Sequence, residues 1–142
     1  SYVEVDPETG FVKLLKHWAV EDCGRVINPM LVNEQVRGAI VQGIGGALFE
    51  ECLYDDSGLL RNGSMADYLV PMANEMPDIE VAHVETPTQS SKLGAKGAGE
   101  AGTAGAPGAV QNAINDALAP FNATVFDQPI TSEKILRALK KI

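Results

Sequence analysis

"KLGAKGAGEAGTAGAPGAV" occupies residues 92–110, and six of its nineteen residues are glycine. One carboxylate, Glu100, stands near the middle. Gly97, Gly99 and Gly102 fit the spacing G-x-G-x-x-G. A dinucleotide fingerprint also needs a strand running straight into the turn, and the preceding "PTQSSKLGAK" is polar and loop-like. A phosphate-binding P-loop needs G-K-[ST] at its close, but Ala95 precedes Lys96 and Gly97 follows it. Glycine-rich runs also serve as flexible linkers. Against a linker, apolar residues at helical spacing follow at once: Val110, Ala113, Ile114, Ala117 and Leu118 predict a helix from Pro107 that stops before Pro120. A structural glycine turn with a solvated Glu100 stays open on this stretch alone.

Upstream, Tyr2–Val5 and Phe11–Val20 have strand character, and "DPETG" between them is turn chemistry, so a hairpin is expected. "INPM" opens a helix, with Asn28 as cap and Pro29 at the first helical position. Val32, Val36, Ala39, Ile40, Gly43, Ala47 and Leu48 give it an apolar stripe as far as Cys52. Four glycines, Gly38, Gly43, Gly45 and Gly46, each cost about 1 kcal/mol against Ala there. Close approach of another backbone or of a ligand would explain them. Ile79–Thr86 reads as a further strand. Thr131 caps a last helix, with Glu133 in its first turn and Lys140 and Lys141 in its last. The expected fold class is α+β, with mixed strands and three main helices in a single domain, residues 1–142.

The 142 residues carry 19 acids against 11 bases, a net charge of −8. Phosphate backbones are bound by Lys and Arg, so nucleic acid is not the expected partner. No apolar run approaches the roughly 18 residues of a membrane span. Cys23 and Cys52 form no C-x-x-C pair, which speaks against zinc, and four thiolates would be needed for an iron–sulfur cluster. Two reduced, structural cysteines in a cytoplasmic protein are expected. His17 and His83 stand alone and read as structural or exposed, and Asp22 and Arg25 as framing the turn before the first helix. The chain opens in mid-strand without an initiator Met, as a fragment or processed subunit would.

Taken in order, "DCGRVINPMLVNEQVRGAIVQGIGGALFEE", "DYLVP", "GAKGAGE…NAINDAL" and the closing "QPITSEKILRAL" resemble the C-terminal part of the molybdenum-cofactor subunit of the xanthine oxidase family. The bacterial large subunits of carbon monoxide dehydrogenase and of aldehyde- and heterocycle-hydroxylating enzymes look nearest. The resemblance implies a piece of a molybdenum cofactor-binding domain. It implies hydroxylation of a carbon centre with oxygen from water, on a molybdenum held by molybdopterin, in the cytosine dinucleotide form. Glu100, matching the glutamate of K-G-x-G-E, would be the general base beside the metal. Gln42 and Gly43, matching the family's Q-G pair, would lie near the pterin, with Lys96, Gly97, Ala98 and Gly99 forming the cofactor-facing loop. No residue here is implied as a metal ligand. Partners would be the rest of the molybdenum subunit, a 2Fe–2S subunit, a flavin (FAD) subunit and a small-molecule substrate: carbon monoxide, an aldehyde, a purine or a nicotinate-like ring. An isolated chain is expected to bind no cofactor. The rival expectation is a non-catalytic assembly domain of the same family that has lost cofactor binding.

Overall fold

The first turn sets the sheet. In the computed structural model, which describes residues 1–142, Asp6 accepts from the backbone N–H of Glu8 at 2.9 Å and from the Thr9 hydroxyl at 2.7 Å. Gly10 takes φ +70°, which a side chain would resist. This turn folds strand β1, Tyr2–Val5, antiparallel onto β2, Val12–Glu21. Helix α1, Pro29–Leu48, then carries the chain across to β3, Asp78–His83, which pairs parallel with β2 from Lys16↔Asp78 to Glu21↔His83. The sheet order is β1-β2-β3. Helix α2, Ala101–Leu118, packs chiefly on α1 and also on β1, and the short helix α3, Ser132–Ala138, closes the end. The fold is therefore α+β with three main helices and a mixed sheet, as expected.

The cap of α1 is the expected one: Asn28 Oδ1 accepts from the Leu31 N–H at 3.2 Å, with Pro29 behind it. The helix ends at Leu48, four residues short of Cys52. The N–H groups of Phe49 and Glu50 both turn back to the Gly45 carbonyl, each at 2.8 Å. The Glu50 carboxylate folds over Gly45, in the space a Cβ would occupy, and accepts the Tyr68 hydroxyl at 2.7 Å. That bond to a carboxylate pushes the Tyr68 hydroxyl up to about 12. A bare helix position thus lets the chain reverse at once.

Helix α2 departs most from expectation. It starts at Ala101, six residues before Pro107, so the second half of the glycine stretch is helical and Pro107 lies inside it. Its buried residues are Gly102, Ala106, Val110, Ile114 and Leu118, an unbroken four-residue stripe. An interior proline costs about 3 kcal/mol in an isolated helix, because it has no N–H for the carbonyl four residues back. Here that carbonyl is Thr103's. It faces Gly43 of α1, 2.9 Å from where a Cβ would sit, with Ala106 Cβ at 2.9 Å and Pro107 Cδ at 3.0 Å from the same point. On the other side of the crossing, a Cβ on Gly102 would come within 2.9 Å of Ile40 Cγ1 and 3.0 Å of Ala39 Cβ. Two glycines therefore let the helices touch backbone to backbone. Packing against α1, which propensity cannot foresee, holds the first turns of α2 in place.

The core lies between this helix pair and the sheet. Val36, Ile40, Ile44, Val110, Ile114, Leu118 and Ile135 are its largest fully buried members. At about 25 cal/mol per Å² of apolar surface, each such side chain stabilises the fold by roughly 1.5–3 kcal/mol. Asn115 fastens the return loop, bonding the N–H of Val125 at 2.8 Å and its carbonyl at 2.9 Å. Thr131 caps α3 as expected, accepting from Lys134 N–H. Arg137 is the base in its last turn, however, and Lys140 lies beyond the helix at φ +59°. Strand β3 stops at His83 rather than Thr86, because Thr86 N–H goes to the Asp22 side chain.

Candidate functional site

Glu100 is the residue immediately before α2. Its side chain makes no capping bond to the first-turn N–H groups, and it is exposed. The first N–H groups of that turn, which have no partner within the helix, are thus left uncapped by the Glu100 carboxylate. Ahead of Glu100, Gly97 and Gly99 have neither a left-handed φ nor any crowding. A Cβ on Gly97 would meet nothing within 4 Å, and one on Gly99 would only touch Gln35 Nε2 at 3.7 Å. Nothing inside this chain requires glycine at these two positions.

The other wall comes from α1. Gln35, Gly38 and Gln42 lie on one exposed face at three- and four-residue spacing. Gly38 has nothing within 4 Å of its Cβ position. Gln42 reaches α2, its Oε1 lying 3.5 Å from the Thr103 hydroxyl, which donates to the Ala39 carbonyl at 3.0 Å. The crossing at Gly43 and Gly102 thus brings Gln42 beside Thr103, three residues after Glu100 in sequence. Sequence reasoning did not find Gln35 or Thr103. The signal for Gln35 was present: it stands seven residues before Gln42, with Gly38 between them.

Two of the expected residues are used inside the chain. Gly43 is buried under α2 and does not open onto this face. Lys96 bends back: its Nζ donates to Asp22 Oδ2 at 2.9 Å and to the Thr86 hydroxyl at 2.7 Å. Lys96 together with the N–H groups of Gly24 and Thr86 holds the Asp22 carboxyl down to about 2. The Lys96 N–H donates to Cys23 O at 2.7 Å, and Arg25 N–H to Gly94 O at 3.0 Å. Residues 94–96 are therefore tied to the turn after β2, and the loop becomes free only from Gly97 onward. Ala98 sits half-buried between the two open glycines.

Both histidines are hydrogen-bonded within the fold. His17 bonds the Ser1 hydroxyl, and burial pushes its imidazole down. His83 Nε2 meets Asn33 Oδ1 at 2.7 Å. Cys23 is buried and Cys52 exposed, both free thiols. No three His, Cys, Asp or Glu side chains gather as a metal site would require. No helix is long and apolar enough to cross a membrane. A cavity of about 710 Å³ between Phe11, Leu48, Phe49, Met76 and Ile130 holds none of the candidate residues.

Residues 1–77 match the molybdopterin cofactor-binding domain. The chain belongs to that family. It is 50% identical over 140 residues to the nicotine 6-hydroxylase large subunit of Paenarthrobacter nicotinovorans, covering 99% of this chain and 17% of that protein. The carbon monoxide dehydrogenase large chain of Hydrogenophaga pseudoflava is 34% identical over 139 residues, 98% of this chain and 17% of that one. Among solved structures, quinoline 2-oxidoreductase from Pseudomonas putida 86 superposes with a TM-score of 0.92 at 45% identity, covering 98% of this chain and 18% of that one. The chain thus spans about a sixth of the length of these relatives, and the resemblance read from its motifs holds at the level of family and fold.

Proposed function

We propose that this chain is the C-terminal part of the molybdenum subunit of an oxidoreductase of the xanthine oxidase family, and that Glu100 is its general base. The observation that carries the proposal is the uncapped, exposed Glu100 beside open backbone at Gly97 and Gly99. The donor set fits the cofactor. Backbone left bare by Gly97, Ala98 and Gly99 admits a large ring system. The first-turn N–H groups of α2 suit phosphate, as a cytosine dinucleotide form would carry. The Gln42 amide offers both donor and acceptor.

When bound, the molybdenum cofactor supplies the redox centre at which a substrate carbon is hydroxylated with oxygen from water. The part of this chain is to hold the cofactor's edge and to move one proton. Glu100 accepts that proton at a carboxylate oxygen, which no capping bond occupies. Lys96 anchors the start of the loop to Asp22, so that Gly97–Glu100 leave it in a fixed direction. Gly43 lets α2 lie close enough to bring Thr103 against Gln42.

The remainder of the molybdenum subunit, a 2Fe–2S subunit and a flavin subunit complete the proposed enzyme, in the cytoplasm. For the substrate we favour an N-heteroaromatic ring. The relatives named for nicotine and quinoline share 50% and 45% of residues with this chain, against 34% for the one named for carbon monoxide.

Glu100→Gln in the complete enzyme tests the role of the acid. Gln keeps the shape but takes no proton at neutral pH. Turnover per molybdenum is expected to fall by about 10²–10⁴, the span of general-base contributions, with cofactor content unchanged. Turnover within threefold of wild type would remove Glu100 from the mechanism and favour a purely structural loop.

A further inference from the structure

We infer that Thr103 is a positioning residue that fixes which edge of the Gln42 amide faces the cofactor. The inference rests on the proposal that Gln42 contacts the cofactor.

A threonine hydroxyl has one hydrogen to give. Thr103 gives it to the Ala39 carbonyl at 3.0 Å, so it has none for Gln42, whose Oε1 lies 3.5 Å away. Two acceptors facing one another gain nothing. The oxygen and nitrogen of a side-chain amide exchange places by a half-turn that leaves its shape unchanged. With that half-turn, Gln42 Nε2–H faces Thr103 Oγ1 across the same 3.5 Å, and a small shift of the amide closes this to a hydrogen bond, so that the chain of bonds runs Gln42 to Thr103 to Ala39 with every donor used in one direction. The remaining N–H and the Oε1 of Gln42 then face the open side together. They form a donor–acceptor pair suited to the N–H and C=O edge of a heterocyclic lactam.

The geometry around this relay is specific. Thr103 lies three residues after Glu100, one turn into α2. Gln42 lies on an exposed face of α1, where a long side chain would otherwise sample several rotamers. The near contact of the helices at Gly43 and Gly102 is what brings the two side chains together. Holding the amide before the ligand arrives lowers the ordering cost of binding. The same turn of α2 therefore carries the proposed base and the residue that aims the amide.

The test uses the complete, cofactor-loaded enzyme. The readout is molybdenum and extractable pterin retained per protein during prolonged dialysis, with a melting curve for every variant. Thr103→Val keeps the branched shape and removes the hydroxyl. It is expected to speed cofactor loss about two- to tenfold, the effect of one hydrogen bond. Thr103→Ser keeps the hydroxyl and should restore retention to wild type. In a Gln42→Ala background, which itself loses cofactor faster, Thr103→Val should add nothing. Wild-type retention in Thr103→Val, beside a leaky Gln42→Ala, would overturn the inference and leave the Gln42 proposal standing. An equal loss from Thr103→Val with and without Gln42 would also overturn it, because packing alone would then be the cause. Wild-type retention in Gln42→Ala would overturn the Gln42 proposal itself and the inference with it.

Discussion

Glycines meet two opposite surroundings in this chain. At the helix crossing, Gly43 and Gly102 stand where any Cβ would come within about 3 Å of the facing helix. On the open face, Gly38 and Gly97 have nothing within 4 Å, and Gly99 has only ordinary contact with Gln35. The first pair is explained by the chain's own packing. The second set is not, since a helical Gly38 costs about 1 kcal/mol against Ala and gains nothing visible in return. A residue that weakens the fold without an internal reason directs attention to what lies outside it. The two regions thus separate glycines that build the scaffold from glycines that leave room on it.

Substitutions at the two places should move stability in opposite directions. Gly43→Val drives side-chain atoms into the Thr103 carbonyl, Ala106 and Pro107. A loss of about 1–3 kcal/mol is expected from overpacking, read as a lower midpoint in thermal or chemical unfolding. An unchanged midpoint would mean that the helices do not approach as closely as described. Gly38→Ala should raise stability by up to about 1 kcal/mol, while cofactor retention in the complete enzyme falls. A variant both more stable and fully loaded would leave Gly38 without a role on this face.

The smallest expected effect divides the glycine loop itself, between its tied half at residues 94–96 and its free half from Gly97. Asp22 is held down to about 2, mainly by Lys96. Its folded value lies below the ordinary carboxylate value. The stability it contributes is therefore complete above about pH 4 and lost as pH falls toward 2. Lys96→Met should raise the Asp22 value and reduce stability at neutral pH slightly, with the difference from wild type vanishing in acid. A difference that persisted in acid would show that Lys96 acts through something other than Asp22.

The local signals in the sequence were the legible ones. Asn28 with Pro29, Asp6 with Gly10, and Thr131 each announce a cap or a turn through chemistry confined to a few residues, and each stands where it was expected. The start of α2 was hidden for the opposite reason. "AGTAGAP" reads as helix-breaking by composition, and only contact with Ile40 and Gly43, some sixty residues away, makes it helical. The four-residue stripe through Gly102 and Ala106 was visible, but small residues carry little hydrophobic signal. In the candidate site, Glu100 and Gln42 stood out by their glycine surroundings. The inward turn of Lys96 could not be read, because Asp22 and Thr86 reach it only through tertiary structure. Thr103 gave no sign in sequence, since its partners lie on the other helix.

The central claim is that the open glycines are kept for a cofactor and not for the fold. Gly99→Ala in the complete enzyme tests it most directly, with molybdenum per protein and the unfolding midpoint measured on the same preparation. Backbone at Gly99 is free of positive φ and of crowding. Alanine should therefore leave the midpoint unchanged or raise stability by about 0.4–1 kcal/mol, while molybdenum content falls well below wild type. Full molybdenum content in a protein of unchanged stability would contradict the account.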